Sequence, residues 1–175
     1  MSEQLVITAL GEDRPGLVNA LSHELYKYDL NIEDSRMSVL GGEFVVMLLV
    51  SGSLTSIDQV VQSVAKLEEM LNMKLLTKKT RSKQDTAGLI PYKVEVVSID
   101  HPGIVQDIAS FFSAREINVV DMDTTCYPAA HTGTPMFSLY MTIGMPAGQS
   151  IANLREEFIQ NCDEKNLDAK MDALV

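Results

Sequence analysis

Two short stretches carry residue types that can hold a small charged ligand: Asp13-Arg14-Pro15-Gly16-Leu17-Val18 and Asp100-His101-Pro102-Gly103-Ile104-Val105. Each follows an alternating apolar run, Leu5 to Leu10 or Tyr92 to Ile99, and each opens a segment with apolar residues at helical spacing. The pattern is that of a strand passing into a helix. The first N–H groups of a helix have no partner inside it, and their partial positive charge attracts a carboxylate. Proline is expected at the first helical position, where its missing N–H costs nothing. Glycine beside it lets a ligand or a second chain approach the backbone.

Other chemistry is poorly supported. His23, His101 and His131 form no metal-ligand spacing with Cys126 or Cys162. No Ser-His-Asp or Cys-His arrangement has a recognisable nucleophile context. The phosphate-binding glycine motifs G-x-G-x-x-G and G-K-S/T are also absent from the sequence. An enzyme is therefore not expected, and neither is a metal or an organic cofactor. A small enzyme of acylphosphatase-like topology would need a phosphate loop with paired arginine and asparagine, which is not evident.

The two turns belong to a longer repeat. From Asp13 to Asp100 is 87 residues, and the same offset carries Leu30-Asn31-Ile32 to Ile117-Asn118-Val119 and Asp34 to Asp121. Phe44 to Val50 recurs as Phe137 to Ile143, with the extra residues of the second copy falling around Tyr127 to Pro135, as in a longer hairpin loop. Two domains are expected, residues 1–80 and 91–175, joined by a polar linker over 81–90.

Hydrophobic periodicity supplies the elements that position the turns. Gln4 to Leu10 is apolar on both parities and Phe44 to Val50 has no polar residue, so both are expected to be central strands covered on both faces. Leu17, Leu21, Leu25 and Tyr28 mark one helical face. The more polar Ile32 to Leu40 suits a sheet edge, followed by a Gly41-Gly42 hairpin. Thr55 and Asp58 suggest a capping box before a helix carrying Ile57, Val60, Val61, Val64, Leu67 and Leu71. A strand from Met73 to Thr80 closes the unit, and Met37, Met47, Met70 and Met73 are expected as core filler.

The order βαββαβ, with the first and third strands most buried, fits a ferredoxin-like sheet of order 4-1-3-2. The fold class is α+β: two such domains in tandem, antiparallel sheets with helices on one face. The other face needs a partner, either the other half or a second chain, and a homodimer is expected. In such a unit the helix runs back along the sheet. The next strand then starts at the end opposite the turn, so only pairing of units can bring turn and asparagine together.

Composition narrows the partners. The 175 residues are 46% hydrophobic with a formal charge of −10, and both halves are net acidic. Neither offers the basic face that non-specific nucleic-acid binding needs, so direct DNA contact is not expected. Two cysteines without a close pair suggest free thiols in a reducing compartment. The N-terminal residues show no signal peptide, and no apolar run approaches membrane-spanning length, so a cytoplasmic protein without membrane contact is expected.

Asp-x-Pro-Gly-Leu/Ile-Val after a strand, then asparagine before the next one, resembles the ACT domain, a small-molecule-sensing βαββαβ module. The resemblance covers nearly the whole chain, twice, with no catalytic domain attached. It implies an amino-acid-responsive repressor of glycine cleavage genes that acts through a LysR-type DNA-binding activator, with glycine relieving repression. It also implies ligand loops at Asp13, Arg14, Pro15, Gly16 and Leu17 with Asn31, and at Asp100, His101, Pro102, Gly103 and Ile104 with Asn118. A regulatory subunit lending amino-acid feedback control to a metabolic enzyme is the alternative that the same module can serve.

Overall fold

Alternation in the apolar runs becomes one-sided burial. The structure is a computed structural model that describes residues 3–81, 89–146 and 148–174. Positions 82–88 of the expected linker lie outside the described residues. The chain divides into two compact units, one on either side of that segment.

The first unit runs β1 (Glu3–Glu12), α1 (Leu17–Lys27), β2 (Asn31–Leu40), β3 (Glu43–Gly52), α2 (Leu54–Gln62), α3 (Val64–Leu71) and β4 (Lys74–Thr80). The second runs β5 (Leu89–Ile99), α4 (Ile104–Ser113), β6 (Asn118–Pro128), β7 (Pro135–Pro146), α5 (Ile151–Asp163) and β8 (Asp168–Ala173). Each sheet is antiparallel, in the orders β2-β3-β1-β4 and β6-β7-β5-β8. Both are the expected ferredoxin-like arrangement.

Side chains of one parity in each strand are buried. Leu5, Ile7 and Ala9 of β1 pack with Phe44, Val46, Leu48 and Val50 of β3, under Leu17, Leu21 and Leu25 of α1 and Ile57, Val60 and Leu67 of the later helices. The two central strands are not covered on both faces, as their sequence suggested. Met47 is 50% exposed and Leu10 44% exposed. Within a unit only one helical layer exists, so an unbroken apolar run still alternates between a packed and an open face. Met37 is exposed because β2 is an edge strand and Met70 because it lies on the outer side of α3, so of the four named methionines Met73 alone is core.

Two local expectations also change. Ser53, not Thr55, caps α2, its hydroxyl accepting the Ser56 N–H at 3.0 Å. The helix expected to run unbroken to Leu71 is divided at Ser63 into α2 and α3. The Gly41-Gly42 hairpin forms as expected, with φ of 62° and 90°, the paired positive values of a type I′ turn.

The second core uses aromatic packing where the first is mainly aliphatic. Phe111, Phe112 and Phe158 have ring centroids 5.0 to 5.2 Å apart. Phe112 and Phe158 are fully buried. Phe158→Ala removes a ring from this cluster and should lower unfolding free energy by about 3–5 kcal/mol, measured by denaturant titration. Burial beside Phe158 pushes the Cys162 thiol from its ordinary 9.0 up to about 11. Its contribution to stability is therefore complete below pH 9 and lost as pH rises toward 11. Cys162→Ala should flatten that part of the stability–pH curve.

Candidate functional site

Both turns leave a central strand at the same end of their sheet and enter a helix through a left-handed glycine. Gly16 has φ 91° and ψ −2°; Gly103 has φ 104° and ψ −13°. Non-glycine residues pay about 1–2 kcal/mol to adopt such a conformation. The glycines are helix N-caps, so Pro15 and Pro102 precede the helix instead of occupying its first position. A residue at these positive φ values is not helical, which moves the helix start to Leu17 and Ile104.

No side chain caps either helix. Asp13 and Asp100, although acidic and adjacent, therefore leave the initial N–H groups of α1 and α4 without a side-chain acceptor. Each turn is instead held by its backbone. The Asp13 N–H donates to Gly42 O at 3.1 Å and the Asp100 N–H to Pro135 O at 2.9 Å. The turn is thus tied to the hairpin between the second and third strands of its unit. Leu17 and Ile104 are buried directly behind it.

The two copies diverge at their variable residue. Arg14 Nη2 donates to Leu71 O at 2.8 Å. This places a cation at the carbonyl end of α3, where the helix dipole favours it. His101 instead makes a local contact, Nδ1 to Pro102 O at 3.1 Å. The first turn is therefore braced to the α3–β4 connection. Gly11 completes that brace, because a Cβ there would lie 2.9 Å from Met73 Cγ and 3.0 Å from Asn72 O.

Sequence reasoning missed Cys126 as a neighbour of the second turn. Desolvation, together with the charge of Asp100 and a hydrogen bond to it, pushes the thiol up. Cys126 stands where Val39 stands in the first unit, at the repeat offset of 87 residues. That offset was the available signal, since it places both side chains opposite a phenylalanine, Phe44 or Phe137.

The asparagines lie elsewhere. Asn31 and Gln4 both pair with Ser51, so Asn31 is level with Gln4, nine residues before Asp13. At about 3.4 Å per residue that is about 30 Å. Asn118 and Pro91 likewise share Gly144, nine residues before Asp100. No amino acid bridges that distance within a unit. Asn31 Nδ2 is moreover engaged, donating to Glu33 Oε1 at 2.9 Å.

A groove of about 540 Å³ near the end of β1 is lined by Leu10, Gly11, Glu68, Asn72 and Met73, but Glu43 and Glu69 also border it. Three carboxylates against the single amine of Lys74 make it unsuitable for an anion. The exposed turns remain the candidate carboxylate sites.

Arg14→Ala should preserve the circular dichroism spectrum while lowering stability by about 1–2 kcal/mol, as Leu71 O loses a charged donor. Asp100→Asn should speed alkylation of Cys126 at mildly alkaline pH by removing the adjacent negative charge, as followed by mass spectrometry. Cys162, which is buried, should react only on unfolding.

Comparison with known proteins agrees with this architecture. The ACT domain family model matches residues 3–78. The glycine cleavage system transcriptional repressor of Escherichia coli (strain K12) is 30% identical over 162 residues, covering 93% of this chain and 85% of that one. A crystal structure provisionally named for the same repressor has a TM-score of 0.74 at 25% identity, covering 99% and 98% of the two chains. An unknown protein from Galdieria sulphuraria shares the fold with a TM-score of 0.81 at 24% identity over the full length of both. With two βαββαβ units and similarity to a curated repressor over nearly its whole length, the chain belongs to the ACT domain family, in the branch that includes the glycine cleavage system transcriptional repressor.

Proposed function

We propose that this regulatory ACT protein represses glycine cleavage genes in response to an amino acid and acts through a LysR-type DNA-binding activator. Support for the regulated process comes from the 30% identity to the glycine cleavage system transcriptional repressor of Escherichia coli. Support for an indirect mode comes from the formal charge of −10. A surface with that balance repels phosphate backbones. No helix among the described residues is long and apolar enough to cross a membrane.

The observation that carries the ligand reading is the pair of helix starts without side-chain caps behind left-handed glycines. A free amino acid's carboxylate would accept the N–H groups at the start of α1 or α4. Its ammonium would be met by Asp13 or Asp100, or by a backbone carbonyl. Arg14 contributes by holding the first turn, and Leu17 and Ile104 by anchoring it. Pro15 and Pro102 stiffen the approach, and His101 borders the second turn. Asn31 and Asn118 join only from another unit's sheet.

Glycine is the ligand proposed. A Cβ built on Gly16 or Gly103 meets nothing within 4 Å, so the space beside each glycine is open. Selectivity over alanine then depends on what packs over the turn. Fit to one methyl group is worth about 1–3 kcal/mol.

Calorimetry against the proteinogenic amino acids should show glycine binding. Gly16→Val and Gly103→Val each place branched bulk and backbone strain at a turn. Each should weaken binding by about tenfold or more if its turn is a site, provided circular dichroism shows the fold intact. Wild-type binding by both folded variants would remove the turns from consideration. The purified protein should not shift promoter DNA at physiological salt unless the activator is added. Recovery of a metabolic enzyme instead of a transcription factor in pull-downs would move the assignment to a feedback subunit.

A further inference from the structure

Each sheet has one face that no helix covers, and the two units put opposite chemistry there. Val94, Val96, Leu139 and Met141 of the second sheet point into the core, so residues of the other parity form its open face. Three rows of side chains cross all four strands on that face, at corresponding positions in the two units. In the first unit they run from Asp34 to Lys78, from Arg36 to Leu76 and from Ser38 to Lys74, with Met47 at the centre. In the second they run from Asp121 to Asp172, from Asp123 to Lys170 and from Thr125 to Asp168, with Tyr140 at the centre.

Charge separates the two faces. Three cations outnumber one carboxylate in the rows of the first. In the second, Glu95 and Lys93 complete the rows on β5, so five carboxylates outnumber two lysines. Asp121, Asp123 and Asp168 form no ion pair among the described residues. A cationic partner is therefore drawn to the second face and not to the first.

The centre of the second face is built to receive a cation. Tyr140 is 46% exposed, with Asp123 directly across on β6 and Glu95 across on β5. Lys93 Nζ already stands 5.4 Å from its ring centroid and pairs with Glu95 at 2.6 Å. The negative face of an aromatic ring attracts ammonium and, more often, guanidinium groups. An arginine from a partner can stack on Tyr140 and turn its fork toward the unpaired Asp123 carboxylate. An exposed tyrosine at the middle of a face is also the residue type that anchors protein interfaces. A protein that binds DNA must itself carry a cationic surface to neutralise phosphates.

We infer that the helix-free face of the second sheet, centred on Tyr140, docks an arginine-bearing cationic surface of the DNA-binding partner. The inference rests on the reading that this chain acts through such a protein. The test measures affinity of the full-length protein for the purified LysR-type activator by calorimetry at low and high salt. D121K/D123K should weaken the complex by about tenfold or more. The near-isosteric D121N/D123N should weaken it less, and carries the test if circular dichroism shows the reversal to be misfolded. Tyr140→Leu, which keeps an apolar side chain without the ring, should weaken it too. E156K/E164K makes an equal charge change at exposed positions of α5 and its C-cap, and should bind as wild type does. Affinity of the wild type should fall as salt rises, because exposed charges are screened. Wild-type affinity in the folded Asp121 and Asp123 variants, or an equal loss in E156K/E164K, would overturn the docking surface alone. Failure of the wild type to bind the activator would overturn the functional reading as well. Loss of self-association with activator binding intact would assign the face to a second copy, and would also overturn the inference.

Discussion

The backbone at Gly16 and Gly103 is the constraint on which each unit depends. A central strand must reverse into a covering helix within a few residues, and the chain does so at φ values of 91° and 104°. An L side chain resists that conformation even where space is open. The reversal delivers Leu17 or Ile104 into the core and leaves the first N–H groups of the helix without a side-chain cap. The structural role and the proposed recognition role therefore fall on the same glycine. The packed side fixes the turn's position and the open side leaves it accessible.

Once the turn is fixed, the rest of each unit follows from burying one sheet face. The two units reach the same topology with different interiors. The first surrounds Leu5, Ile7 and Val50 with aliphatic side chains, while the second centres on three phenylalanines. Loss of one large ring should matter more than exchange of one aliphatic residue for another of similar volume. The braces differ as well. Arg14 links its turn to the end of α3, whereas His101 reaches no further than Pro102. Equal sequence motifs thus sit in mechanically unequal settings.

The topology was legible in the sequence because strand and helix periodicities differ and the pattern occurs twice. Gly41-Gly42, the edge character of β2 and the order of strands could all be read directly. Two-sided coverage of β1 and β3 could not. An all-apolar strand has the same composition whether a second layer lies against Met47 or not. Ser53 as a helix cap escaped notice because Thr55 and Asp58 offered a competing capping pattern three residues apart. At the site, the separation of Asn31 from its own turn followed from topology alone. The tether from Arg14 to a backbone carbonyl did not, since a carbonyl acceptor leaves no mark on residue type. Cys126 beside Asp100 was accessible only by aligning the two copies.

The family assignment places the chain among ACT-domain regulators, and the starts of α1 and α4 are where we propose that a small anion is received. We propose that the backbone N–H groups at the starts of α1 and α4 bind the carboxylate of glycine. Amide chemical shifts in a uniformly ¹⁵N-labelled sample, followed during glycine titration, test this most directly. Binding there should give saturable shifts concentrated at Leu17, Val18 and Asn19, at Ile104, Val105 and Gln106, or at both sets. Saturable shifts confined to other segments, or none at glycine concentrations that change repression, would contradict it.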